Sequence, residues 1–223
     1  MQRHYRLILG LLMVGCTEFE PATPQESGIG FFPVDAALYR VYDVYDIQYE
    51  ISGFDTSTYQ LREQIVDSIS SDAGVSYVIQ QEVRSDNSEA WTVSKLLSIR
   101  RNNINAVLVE DNFPLVKLAF PVREGVTWDL NSMNTDETSM STYSNSDYTN
   151  NIIEGLEVID VTISDLQGNI VREEFKKETY ADGVGLVAKT FLVYEFCQTG
   201  CDSAGQINTG FFVNQELIEY GYR

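Results

Sequence analysis

Carboxylates are the abundant catalytic-type groups of this chain: 33 Asp and Glu stand against 15 Lys and Arg, with one histidine and three cysteines. A pair of carboxylates roughly 5 to 9 Å apart can hydrolyse a glycosidic bond. Glu63, Asp67, Glu82, Asp160 and Glu173 are the candidates, because they fall on alternating, strand-like stretches. No spacing singles out a pair among them, and solvated faces of an acidic sheet account for the same residues. Asp136 with Glu137, and Asp147 with Asn145, Asn150 and Asn151, offer hard oxygen ligands of the kind calcium takes. Neither set matches the twelve-residue calcium loop, so no metal and no cofactor is assigned. Tyr39, Tyr45 and Tyr49 share one face of a period-two run. Their rings could line a groove for an apolar-faced ligand, with Trp128 nearby, or simply pair across strands in an ordinary sheet.

The elements that must position these groups begin after an N-terminal address. Arg3 and Arg6 precede an apolar run from Leu7 to Val14, followed by Gly15 and Cys16. So short a run cannot cross a hydrocarbon core that needs about 20 residues. The pattern resembles the lipobox of bacterial lipoproteins, with Met13 where that family usually has Leu, Val or Ile. The resemblance implies a signal peptide over 1–15, lipidation of Cys16 as the first mature residue, and a membrane partner reached through that lipid. Glu18 and Glu20 resemble the acidic export signals of some surface lipoproteins, and Thr17 stands where an inner-membrane retention signal would have Asp. Outer-membrane anchoring is the expected location.

Cleavage before Cys16 would remove His4, the only histidine, together with Arg3 and Arg6 and no acid. The mature chain then lacks an imidazole base, a Ser-His-Asp or Cys-His arrangement, and a His-containing zinc site. Its charge becomes two units more negative than the −18 of the full chain. An excess of that size disfavours nucleic acid and anionic membrane surfaces as partners. Cys197 and Cys201 have three residues between them where redox motifs usually have two, and zinc would need further soft ligands. In an exported chain the expectation is a disulfide across a tight loop.

Residues 17–30 are rich in Pro, Thr, Glu, Ser and Gly and read as a flexible tether, so the domain is expected over 31–223. Phe31-Phe32-Pro33-Val34 opens it, and Tyr39, Val41, Tyr45, Ile47 and Tyr49 alternate with polar residues in a half-buried strand. Turn-forming residues at 52–57, 70–74, 86–88 and 100–103 separate further strand-like runs. Residues 131–151 have almost no aliphatics and read as a long polar loop. Strands resume from Leu156 to Ser164, Ile170 to Thr179, Thr190 to Phe196, and toward Tyr220. Such spacing predicts a mainly β protein: a curled antiparallel meander sheet forming a sandwich or partial barrel, with little helix.

Phe120-Pro121-Val122-Arg123-Glu124-Gly125-Val126-Thr127-Trp128, followed far downstream by Tyr180-Ala181-Asp182-Gly183-Val184-Gly185-Leu186-Val187 and Leu217 to Tyr220, resembles a set of uncharacterised secreted and lipid-anchored bacterial β proteins. The resemblance implies fold and brings no activity. Gly183 and Gly185 lack the βαβ context and full pattern of a nucleotide loop. The functional expectation is a non-enzymatic envelope lipoprotein serving as a binding or docking module for an envelope protein. Its alternatives are a carrier of a lipid or other apolar molecule in the sheet's concavity and a carboxylate glycan hydrolase. The lipobox carries a direct test: Cys16→Ser should move the protein from the membrane to the soluble fraction with its fold intact, and absence of metabolic lipid label on the wild type would refute lipidation.

Overall fold

A computed structural model describes residues 27–223, apart from 73, 167, 202 and 204. Cys16, the signal segment and most of the tether lie outside the described residues. The protein is mainly β, a single curled antiparallel sheet that nearly closes into a barrel. The first half of the chain is a meander of β1 (Leu38–Glu50), β2 (Gly53–Ser71), β3 (Gly74–Arg84), β4 (Thr92–Arg101), β5 (Asn105–Glu110) and β6 (Phe113–Ala119). The second is a meander of β7 (Thr127–Asp129), β8 (Met140–Asn145), β9 (Val158–Leu166), β10 (Arg172–Ala181), β11 (Gly185–Phe196) and β12 (Ile207–Tyr222). Strand order is β6-β5-β4-β3-β2-β1-β12-β11-β10-β9-β8-β7, so the two meanders join through the antiparallel pair β1 and β12.

Local chemistry explains the hairpins. Glu50 pairs with Gly53, leaving Ile51 and Ser52 as a two-residue turn, tighter than the 52–57 turn expected from composition. Between β5 and β6, Asp111 and Asn112 both take positive φ, 50° and 65°, the conformation that a two-residue hairpin favours and that Asp and Asn tolerate. Residues 59–67, whose Leu61 and Ile65 also fit a helical spacing, lie within β2. The 131–151 stretch is not all loop, for it contains β8. Aliphatic content hid that strand, because its buried positions are Ser141 and Tyr143.

Closure brings the two free edges together. The Val116 N–H donates to the Leu130 carbonyl at 2.9 Å. Trp128 Nε1 donates to the Val116 carbonyl at 2.8 Å. The Tyr143 hydroxyl donates to the Ala119 carbonyl at 2.8 Å and accepts from the Ala119 N–H at 2.9 Å. Both faces of β6 are consequently covered. Val116 and Leu118 pack in a cluster with Trp128, Tyr143, Ile159 and Val161, while Leu115 and Lys117 face the interior.

One end is capped by the chain's own start. A single 3-10 turn, Ile29–Phe31, sits there, with Phe31 in the core. Arg101 donates to the Phe32 carbonyl at 2.8 Å, the Gly183 N–H to the Gly30 carbonyl at 3.0 Å, and the Val122 N–H to the Ser27 carbonyl at 3.0 Å. Residues 27–30, assigned to the tether on composition, thus hydrogen-bond into the domain. Tyr143→Phe tests the seam: it leaves the Ala119 N–H and C=O without their partner, and should lower stability by about 1–3 kcal/mol, read from the urea midpoint at constant m.

Candidate functional site

The rolled sheet encloses a cavity of about 370 Å³. Period-two alternation places every second residue of each strand on its wall. On β1 these are Arg40, Val44 and Asp46; on β2, Tyr59, Leu61 and Glu63; on β11 and β12, Lys189, Phe191, Val213 and Gln215. Ile79, Leu97, Ile99, Leu108 and Leu115 form an apolar wall opposite. Phe32, Pro33 and Gly185 lie at the capped end. There the positive φ of Gly185, 92°, and the approach of Arg40 and Pro33 leave no room for a side chain. At the other end Tyr59, Val83 and Ser94 also line a shallower surface pocket beside Arg84, Ser85 and Ala90, which places the mouth between β2 and β4.

Charged groups on the wall are arranged in pairs. Glu63 is 9% exposed and meets Arg40 at 3.4 Å, the Gln81 amide at 2.7 Å and the Tyr42 hydroxyl at 3.4 Å. Arg40 also donates to the Val184 carbonyl at 3.1 Å, while its Nε is buried without a partner. Glu178 is 3% exposed, paired to Lys117 at 2.5 Å and accepting from the Tyr180 hydroxyl at 2.6 Å. Burial alone would raise the Glu178 carboxyl, but the Lys117 ammonium and the Tyr180 hydroxyl hold it below its ordinary value. Burial pushes the Tyr42 and Tyr180 phenols well above theirs. Lys189 differs from its neighbours: burial, together with the nearby Lys117 charge, holds its ammonium below the ordinary lysine value despite Glu178.

The aromatic face expected to meet a ligand is the outer one. Tyr45 is 40% exposed and packs edge-on against Phe212, while Tyr49 contacts Phe54 and Tyr194. Tyr39 donates to Glu219 at 2.7 Å. None of the three lines the cavity. The reason is that β1 turns its polar phase inward, with Arg40 and Asp46 on the wall, and covers its outside with cross-strand ring pairs. Trp128 is buried at the seam, 4.4 Å ring to ring from Tyr143, and not on the cavity wall.

Among the carboxylate candidates only Glu63 reaches the cavity. Glu82 is bound on the opposite face of the sheet by Arg62 at 2.5 Å, beneath Trp91. Asp160 accepts from Ser146 and Thr179 and is 3.1 Å from Lys177. Of the calcium candidates, Asn145 donates to Glu124 and Asn150 to the Leu217 carbonyl. Cys197 and Cys201 form a disulfide in the β11–β12 connection. Sequence reasoning passed over Lys117, Glu178, Lys189 and Gln215. Their signal was a charged or amide residue at the inward phase of an otherwise apolar strand, as at Lys117 between Leu115 and Ala119.

Fold and site together define a rolled antiparallel β protein with a polar-studded internal cavity. No family model matches the sequence, and no curated protein does. Among solved structures the chain is similar to a protein from Bacteroides fragilis described as exported and of YmcC-like fold, at 12% identity and a TM-score of 0.41, over 86% of this chain and 98% of that one. So distant a likeness carries nothing about function.

The buried pair gives a clear expectation. Lys117→Met strands the Glu178 carboxylate and should cost about 3–5 kcal/mol, whereas the double change with Glu178→Leu should recover most of it. Because the folded Glu178 value is depressed, its contribution is full above the ordinary value of 4.5 and is lost as pH falls through the folded one. Urea titrations of the three proteins across that acid range check both statements.

Proposed function

We propose that this is a non-enzymatic envelope lipoprotein, held to the outer membrane through Cys16, whose β domain binds an apolar or amphiphilic small molecule inside its rolled sheet. The cavity carries this reading: about 370 Å³ is of the size that small-molecule sites occupy, and its wall sets the apolar side chains of Ile79, Leu97, Ile99, Leu108 and Leu115 beside a comparable polar surface. The disulfide between Cys197 and Cys201 supports an oxidising compartment outside the cytosol.

A glycan hydrolase needs one carboxyl group kept protonated to act as acid. The three glutamates on the cavity wall run against that requirement, since Lys117 holds Glu178 below its ordinary value and Glu63 and Glu110 are ion-paired with Arg40 and Lys95. Docking of another protein has its own observation in the outer ring pairs around Tyr45, Tyr49 and Phe212, beside a 70% exposed Phe54. That surface is compatible with a filled cavity and does not compete with it.

The test is titration with N-phenylnaphthylamine, an uncharged dye whose fluorescence rises in apolar surroundings. One saturable site per molecule, displaced by a long-chain alcohol, is expected. Fluorescence that rises without saturation, or that survives in the urea-unfolded chain, would overturn the reading.

A further inference from the structure

Lys189 and Gln215 face the same cavity from neighbouring strands. They are direct partners across the β11–β12 register, so their side chains lie side by side on the inner face. Gln215 is 2% exposed. Among the described residues neither side chain has a hydrogen-bond partner, and no carboxylate lies within ion-pairing distance of Lys189, whose Nζ lies 5.4 Å from the centre of the Phe191 ring. Lys189 is half-buried, and both side chains are open to the cavity, where a ligand can reach them. The other charges on the wall are spoken for: Arg40 holds Glu63, Lys117 holds Glu178, and Glu110 is bound by Lys95. Asp46 accepts from Gln48, on the hairpin side of the cavity.

The site therefore offers two adjacent donors, one of them an ammonium with no ion-pair partner among the described residues, beside a wall of Leu and Ile side chains. We propose that the ligand of this cavity is a monoanionic amphiphile, an acyl chain ending in a carboxylate, whose head accepts hydrogen bonds from Lys189 Nζ and Gln215 Nε2 while its chain lies against Ile79, Leu97, Leu108 and Leu115. This deepens the small-molecule reading above and rests on it. A single carboxylate matches one ammonium and one neutral amide. More highly charged heads, such as phosphates, would meet Glu63 and Glu178 without a second free cation, in a chain whose net charge is already −18.

Binding should be linked to protonation. The free Lys189 ammonium faces Glu178, Lys117, Glu63 and Glu110, and burial holds it below the ordinary lysine value. A bound carboxylate favours the charged form, so the complex takes up protons, and affinity should fall as pH rises through the free-state value. An uncharged ligand should show no such slope.

Calorimetric titration of the purified protein with laurate and with dodecanol, matched in chain and differing in charge, tests the proposal. Laurate should bind more tightly by about tenfold or more, and the advantage should shrink at alkaline pH. In Lys189→Met the laurate-to-dodecanol ratio should collapse toward one, while Lys189→Arg should preserve it, with near-UV circular dichroism confirming that both variants fold. Dodecanol and the naphthylamine dye binding while laurate shows no advantage would overturn this inference and leave the cavity reading standing. If none of the three binds, both fall. The wild-type comparison alone decides the matter if Lys189→Met fails to fold.

Discussion

Val116 and Leu130 share the backbone hydrogen bond through which the two ends of a twelve-stranded sheet meet, and the rest of the molecule follows from that contact. An open sheet of this size would present two rows of unpaired N–H and C=O groups, which invite pairing with other chains. Here β6 and β7 are brought together, and Trp128 and Tyr143 fasten the seam from the side with their own polar atoms. The β7 strand is only three residues long, so backbone pairing there is sparse and side chains supply what it lacks. Rolling the sheet also creates an inside, and the width of that inside exceeds what the inward side chains fill.

An interior built this way is a mixed environment. Hydrophobic clusters pack at the seam and beneath the 146–157 connection, whereas the wall of the cavity carries Arg40, Glu63, Lys117, Glu178 and Lys189. Buried ion pairs seldom add net stability over apolar replacements of the same shape. Their retention in the cavity is better understood as setting a fixed internal potential in which one position, Lys189, has no ion-pair partner among the described residues. The stability of the shell comes from the β ladders and the apolar clusters, and the polarity of the hollow is available for something else.

Much of the architecture was legible from the chain. Strand-length alternation and turn residues at regular intervals point to a curled antiparallel sheet, and Cys197 with Cys201 to a short-loop disulfide. The site was much less so. Tyr39, Tyr45 and Tyr49 offered two readings, a ligand groove or ring pairs across neighbouring strands, and Tyr45 and Tyr49 form such pairs on the outside of the barrel. A polar cavity inverts the usual sign of amphipathic alternation, and period two alone cannot say which phase is inside. Strand β8 was concealed for a related reason, since Ser141 and Tyr143 occupy its buried positions. Lys189 and Gln215 become neighbours only through the β11–β12 register, which the linear sequence does not display.

The pairing of β1 with β12 sets an order of events on the chain. Hairpins β1–β2 through β5–β6 are local and can form as soon as they are made. The middle of the sheet, however, joins one of the earliest strands to the last, and the loop closed by that contact spans nearly the whole domain. Contacts of such sequence separation slow folding, because chain entropy is lost before the stabilising contacts are gained. Until β12 arrives, Val44, Leu61 and the other inward residues of the β1–β6 meander lack their final cover. The last strand to be made is thus the one on which completion of the shell waits.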